Sequence, residues 1–261
     1  MKLLLKFLRH LIIVILLTVI TQIGGVVYLI FLGLKNRLKV NALLLFFTLY
    51  FFISLVIIPI IAPFYGREKV SNKFNIKSSN YITIILNRNY VKPKLNSLLN
   101  KTAKNLELKN IKVRYLDANF PFFDGFPLLP HLSHNDGKKI DLSFIYQSKD
   151  GKISSKQKSV SGYGIFEPPN KTEINQINIC LNKGFWQYEF SKYLTFGKIN
   201  NDLIFSKTHT KVLIQTLLKQ SETKKIFIEP HLKQRLKLIN NKIRYHGCQA
   251  VRHDDHIHLQ I

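Results

Sequence analysis

The stretch Ser133–Asp141 reads S-H-N-D-G-K-K-I-D. His134 and Asp141 stand seven residues apart, and Gly137 lies between them, where a glycine lets the chain turn tightly. Residues 140–146 then alternate polar and apolar side chains, which predicts a strand with Asp141 near its beginning. A loop and a strand end would thus bring one imidazole and one carboxylate together. A hydrogen-bonded loop histidine and a capping aspartate remain the alternative.

A second histidine-rich stretch, Arg252–Ile261, reads R-H-D-D-H-I-H-L-Q-I. If it is a strand, His256 and His258 project from one face and Ile257 from the other. The alternating apolar residues favour a buried strand over a surface histidine cluster. One histidine from this stretch would complete a set of two imidazoles and one carboxylate. Three such ligands, with a fourth position left open, are typical of a catalytic zinc ion.

The formal net charge of +24 indicates either an anionic partner or a compositional trend. Nucleic acid, a lipid surface or an acidic polymer would suit the charge. The chain is also rich in Lys, Asn and Ile throughout, so many cations could simply be solvated. No nucleic-acid-binding motif accompanies the charge, and no nucleic-acid partner is expected.

The chain has two cysteines, Cys180 and Cys248, and no C-x-x-C pair. A thiolate zinc site or a dithiol redox motif is therefore not predicted. One disulfide and two buried thiols both stay open.

Two long apolar runs lie near the beginning of the chain, at about 11–34 and 42–64. Each exceeds the roughly 20 residues that cross a hydrocarbon core as a helix, and each is apolar on all sides. We therefore predict two transmembrane helices. A signal peptide fits the first run less well, because the run is long and no small-x-small cleavage site follows it. This interpretation makes residues 1–65 a membrane anchor and residues 66–80 a polar linker, followed by one domain over residues 81–261.

The pattern in residues 81–261 predicts an α+β domain built on an antiparallel sheet. The predicted strands are 81–86, 111–116, 140–146, 225–229 and 256–261. The predicted helices are 93–108, 211–220 and 231–239. Residues 120–130 and 149–161 are expected to be loops.

Together, the two histidine stretches resemble the superfamily of lysostaphin, D-alanyl-D-alanine metallopeptidases and hedgehog. They are similar to the penicillin-insensitive murein endopeptidases in particular. In that family, an S-H-x-x-G-x-x-x-D segment supplies two zinc ligands and a later H-x-x-H-x-H segment supplies the third. Both segments occur here in that order, and the resemblance covers roughly residues 110–261.

The resemblance implies a metal site. His134, Asp141 and His258 would bind Zn²⁺. His256 would act as a base, or as a cation that stabilises an oxyanion. His253 would support the site or contact substrate.

The resemblance also bears on two further residues near the motifs, Asp255 and His131. Related D,D-carboxypeptidases place an acidic base three residues before the last ligand, which is where Asp255 stands. On an extended strand Asp255 would point away from its histidine neighbours, so His256 is favoured as the base. His131 is predicted to be a loop residue in preference to an additional ligand. His209, His231 and His246 are expected at ordinary polar positions.

By resemblance, the chain would be a membrane-tethered zinc peptidase that cleaves peptidoglycan stem peptides or their cross-links. It would be a multi-pass protein of the cytoplasmic membrane, held in the bilayer by its two helices, with its catalytic domain on the cell-wall side. One alternative is a zinc-binding but inactive domain that serves as a membrane-anchored binding module. Another is a basic membrane protein that binds anionic lipid or nucleic acid.

Overall fold

The computed structural model describes residues 1–261, which divide into two compact units. The first unit comprises Met1–Val70, Ile82–Pro93 and Ala118–Gly137. The second unit comprises Ser71–Tyr81, Lys94–Asp117 and Lys138–Ile261.

The secondary structure mixes helices with many short strands, which confirms the α+β class. The helices are α1 (Lys2–Thr21), α2 (Gly24–Leu34), α3 (Ala42–Tyr65), α4 (Tyr81–Ile85), α5 (Pro93–Glu107), α6 (Gln176–Asn182), α7 (Lys207–Leu218) and α8 (Pro230–Arg235). The strands are β1 (Glu68–Lys69), β2 (Lys77–Ser78), β3 (Tyr90–Val91), β4 (Arg114–Tyr115), β5 (Lys139–Ser143), β6 (Tyr146–Gln147), β7 (Ile153–Ser154), β8 (Ile204–Phe205), β9 (Lys225–Phe227), β10 (Ile243–Arg244) and β11 (His256–Gln260). A 3₁₀ segment covers Trp186–Leu194.

The first apolar run forms a hairpin of two helices, so the predicted single helix over 11–34 is wrong. The chain turns at Gln22, whose φ of 66° is left-handed, and α2 folds back along α1. His10 Nδ1 lies 2.8 Å from the Tyr28 hydroxyl across this hairpin. A Cβ at Gly25 would collide with Thr18, which is why a glycine allows the two helices to approach so closely. Apolarity on all sides does not reveal such a reversal.

Two helices, α1 and α3, are long and apolar enough to cross a membrane. None of the apolar window of α1 is buried by the rest of the chain. The Asn41 side chain accepts hydrogen bonds from the first amides of α3 and so caps that helix. Because α1 lies near the N-terminus, a secretion signal would have the same character. Multi-pass topology and placement of the second unit on the cell-wall side stay predictions.

The principal sheet of the second unit has the strand order β10-β9-β11-β5-β4-β2. Its central strands pair antiparallel, as predicted, whereas β9–β10 and β2–β4 pair parallel. The sheet is therefore mixed, and the expectation of a purely antiparallel sheet is corrected. A smaller antiparallel sheet has the order β7-β6-β8.

Most predicted elements of the second unit are present, with shorter boundaries. Helix α5 buries Leu95, Leu98, Leu99, Ala103 and Leu106 along one side, as its spacing predicted. The predicted strand 81–86 is wrong, because Tyr81–Ile85 is a short helix. Its β-branched residues suggested a strand, but strand propensity depends on the packing surroundings. Residues 66–80, expected to be a polar linker, contain β1 and β2.

Cys180 and Cys248 form a disulfide. The bond ties α6 to the loop that follows β10, across a sequence separation of 68 residues. It lies within the second unit and constrains the segment that leads into the second histidine stretch.

Candidate metal centre

The pairing of β5 with β11 places Asp141 directly opposite His258. His258 Nδ1 lies 2.8 Å from Asp141 Oδ1, and both side chains are buried, at 3% and 0% exposure. A buried carboxylate is costly unless it is paired and hydrogen-bonded. The sheet register therefore accounts for two of the three predicted ligands being neighbours.

His256 lies on the same face of β11, two residues before His258. Its Nε2 is 3.7 Å from Asp141 Oδ1, and its Nδ1 is hydrogen-bonded to the Asp255 carboxylate. Burial lowers the pKa of His256, but the charges of Asp141 and Asp255 raise it, and the resulting pKa is about 9. His256 thus lies between the Asp141 and Asp255 carboxylates, whose charges favour its protonated form.

The structure corrects the expectation that Asp255 points away from His256. Strand β11 begins at His256, so the alternation of side chains does not extend back to Asp255. Asp255 Oδ1 contacts His256 Nδ1, while Asp255 Oδ2 accepts a hydrogen bond from the Gly164 amide at 2.7 Å. The carboxylate therefore orients the imidazole. The catalytic roles of Asp255, His256 and His253 stay predictions.

His253 and His246 complete a group of four histidine rings. The centre of the His253 ring lies 4.8 Å from that of His256 and 5.7 Å from that of His258. The centre of the His246 ring lies 5.3 Å from that of the His253 ring. The sequence suggested an ordinary polar position for His246. Burial, followed by the neighbouring histidine charges, lowers the pKa of His253 well below its usual value. Both influences favour the neutral form of the His253 ring.

The turn before β11 is fixed by a buried network of charged side chains. Glu229 accepts hydrogen bonds from the His253 amide at 2.9 Å and from the Tyr188 hydroxyl at 2.5 Å. Arg252 donates two hydrogen bonds to Asp254, at 2.6 and 2.5 Å. Burial raises the pKa of Asp254 to about 7 although Arg252 opposes the shift. None of these supporting residues belongs to a spacing pattern, so their roles could not be predicted from the sequence.

In the first unit, His134 is held by its own backbone surroundings. It is fully buried, and its Nδ1 lies 2.6 Å from the Ala118 carbonyl oxygen. That geometry fixes Nδ1 as the protonated donor and makes Nε2 the nitrogen suited to bind a metal. The His131 ring lies 5.5 Å from the His134 ring. His131 lies in a loop, as predicted.

The segment 131–141 contains a group that could hold a metal ion, namely His131, His134 and Asp141. His134 and Asp141 are two of the three predicted ligands. The zinc identity of such an ion and the exact ligand set are not shown, and they stay predictions.

No protein-family model matches the chain. The chain is 28% identical over 190 residues to an adenylate kinase of Buchnera aphidicola subsp. Cinara cedri (strain Cc). This match covers 66% of the chain and 78% of the kinase.

This similarity overturns the predicted function. The expectation of a peptidoglycan-cleaving zinc peptidase, and with it of a cell-wall hydrolase and metalloprotease, is wrong, because the similar protein is an adenylate kinase. The similar protein is an enzyme of the kinase class, so the similarity supports the prediction of an enzyme but not that of a zinc peptidase. The resemblance of the two histidine stretches to the lysostaphin and hedgehog superfamily is matched by no family model and stays a prediction.

Proposed function

We propose that the second unit is the catalytic domain of a divalent-metal-dependent enzyme, with Asp141 and His258 as metal ligands. The observation that carries this proposal is the register of β5 and β11, which pairs a buried carboxylate with a buried imidazole. His134 stays the predicted third ligand. His256 is the group that would exchange a proton with the substrate.

The chemistry of the donor set fits a transition-metal ion. Imidazole nitrogen with one carboxylate oxygen suits Zn²⁺, whereas Mg²⁺ prefers ligands that are all oxygen. We therefore propose that zinc is the ion bound at this site. A kinase-like reaction would favour Mg²⁺ instead. When bound, the ion would supply Lewis-acid activation of a substrate oxygen.

The chain's own residues supply the proton transfer. Asp255 holds Nδ1 of His256, which directs Nε2 towards the Asp141 side of the cluster. A proton on Nε2 can pass to a leaving group or stabilise developing negative charge. His253 is a buried ring whose centre lies 4.8 Å from that of the His256 ring.

The adenylate kinase similarity favours a nucleoside phosphate as the substrate class. Residues 1–66 contain six Lys or Arg and no acidic residue, so residues 67–261 carry +18 of the net +24. Such a positive domain attracts anionic substrates. The sequence contains no G-x-x-x-x-G-K-[S/T] segment, so phosphate contacts would come from other Lys and Arg side chains.

The test is a phosphoryl-transfer assay on the full chain with ATP and AMP, supplied with Zn²⁺ or Mg²⁺ and repeated with chelator. The proposal expects metal-dependent transfer that His256→Gln lowers at least 100-fold. His209→Gln is the matched control, since His209 contacts Ser206 outside the cluster. Bound metal without transfer would reject the nucleotide substrate class. A chain that binds no metal would reject the metal centre as well.

A further inference from the structure

We propose that Tyr163 is a positioning residue of the metal centre, and this inference rests on the function proposed above. The Tyr163 hydroxyl donates a 2.8 Å hydrogen bond to Asp141 Oδ2. The other oxygen of that carboxylate, Oδ1, faces His258 Nδ1 at 2.8 Å. The two carboxylate oxygens therefore have different partners, which fixes the rotation of Asp141 about its terminal bond.

Tyr163 also borders the proposed proton-transfer group. Its ring lies 5.0 Å from the His256 ring and stands almost perpendicular to it, at 79°. Tyr163 is 4% exposed. One side chain thus touches the ligand carboxylate through its hydroxyl and the neighbouring imidazole through its ring.

The loop that carries Tyr163 is held in a single conformation. Ser159 Oγ donates to the Tyr163 carbonyl oxygen at 2.7 Å, and the Tyr163 amide donates to Ser161 Oγ at 3.1 Å. Gly164 has a φ of 78°, and a Cβ there would collide with the Ser191 carbonyl oxygen. Only glycine fits this position without strain. The loop is therefore a built support for Tyr163.

The same loop holds the second carboxylate of the site. The Gly164 amide donates to Asp255 Oδ2, and Asp255 in turn binds His256 through Oδ1. Tyr163 thus orients the Asp141 carboxylate, and the adjacent Gly164 orients the Asp255 carboxylate. Asp255 in turn orients His256, the proposed proton-transfer group. Partners of this kind commonly change metal affinity 10- to 100-fold when they are removed.

The experiment compares Zn²⁺ affinity of the full chain and of Tyr163→Phe by competition with a chromophoric chelator. We expect Tyr163→Phe to bind Zn²⁺ about 10- to 100-fold more weakly. Tyr90→Phe is the matched control, because Tyr90 is a buried tyrosine of β3 outside the cluster. The visible spectrum of the Co²⁺-substituted protein should change for Tyr163→Phe alone, since a merely structural role would leave the ligand field unaltered.

A double variant separates positioning from general packing. If Tyr163 acts through Asp141, adding Tyr163→Phe to Asp141→Asn should weaken binding no further. Equal affinity of wild type and Tyr163→Phe, or an additive loss in the double variant, would overturn the inference while the metal centre stands. A wild-type chain that binds no Zn²⁺ would overturn the proposed function and this inference together.

Discussion

Helix α1 and the β5–β11 pair depart from the usual distribution of residues in opposite ways. Helix α1 exposes its apolar side chains, whereas β5 and β11 bury Asp141, His256 and His258. Exposed apolar surface and buried charge are both costly in water unless a partner compensates for them. In the function proposed above, hydrocarbon would compensate for the first exception and a metal ion for the second.

The largest expected effect comes from the Cys180–Cys248 disulfide, which stabilises the second unit. Reducing the Cys180–Cys248 bond, or replacing both cysteines by serine, should lower the free energy of unfolding of the second unit by about 4 kcal/mol, because it frees a loop of 68 residues. Urea unfolding followed by the fluorescence of Trp186, the only tryptophan, checks this. The helical signal of the first unit is the control. An unchanged unfolding midpoint with both thiols titrated as free would contradict the prediction.

A charge in α1 tests the hydrocarbon side of the comparison. Leu16→Arg places a cation on an exposed position within α1 and should cost at most about 3 kcal/mol of insertion free energy. A translocon insertion assay measures this cost. Leu108→Arg, at a residue of the second unit that is 95% exposed, should leave membrane association unchanged. Equal insertion of the Leu16→Arg and wild-type helices would show that α1 does not enter a membrane.

Lowering the pH should reduce the free energy of unfolding of the second unit, because His231 is protonated more readily in the unfolded chain. Burial lowers the pKa of His231 to about 4, against 6.5 for an unperturbed histidine, so the unfolded chain binds the extra proton between these values. Stability should therefore fall as pH drops from about 6.5 to 4, by at most roughly 3 kcal/mol, and then level off.

The measurement for His231 is urea unfolding at pH 7, 6, 5 and 4 for wild type and His231→Gln. His231 Nε2 lies 2.8 Å from the Glu167 carbonyl oxygen, and Asp254 is 3.7 Å away, so the variant keeps a polar group in place. The wild-type slope should exceed that of His231→Gln, while His209→Gln should retain it. Parallel slopes for wild type and His231→Gln would contradict the assignment.

Ion pairs on the surface of the second unit should contribute least to its free energy of unfolding. Lys101 Nζ lies 3.0 Å from Glu222 Oε1, and the Lys101 side chain is more than half exposed. Lys101→Ala should therefore change the unfolding free energy by less than about 1 kcal/mol. Thermal unfolding of this variant beside wild type provides the check, and a loss above 2 kcal/mol would show that surface charge contributes as much as the buried groups.

The sequence predicts those parts of the fold in which one periodic pattern determines one face. The spacing of leucines identified α5, and the alternation of His256 to Ile261 identified β11 with His256 and His258 on one side. The failures come from effects that periodicity does not contain. The left-handed turn at Gln22 reverses an apolar helix, and Asp255 escapes strand alternation because it precedes the strand.

Residues that support the site were not predictable from spacing. Tyr163, Glu229 and His246 reach the cluster through loops whose course depends on tertiary packing. The S-G-Y-G run at 161–164 contained the one usable signal, two glycines that each adopt a positive φ. Such glycines indicate a tight loop, but they do not indicate which side chain the loop presents.

Metal content of the purified full chain tests the central claim most directly. Elemental analysis should find one equivalent of zinc in wild type and in His209→Ala, and a loss of most of it in His258→Ala. Equal zinc in wild type and His258→Ala, or no metal retained by wild type after exposure to Zn²⁺, would contradict the claim that the buried cluster between β5 and β11 is a metal centre.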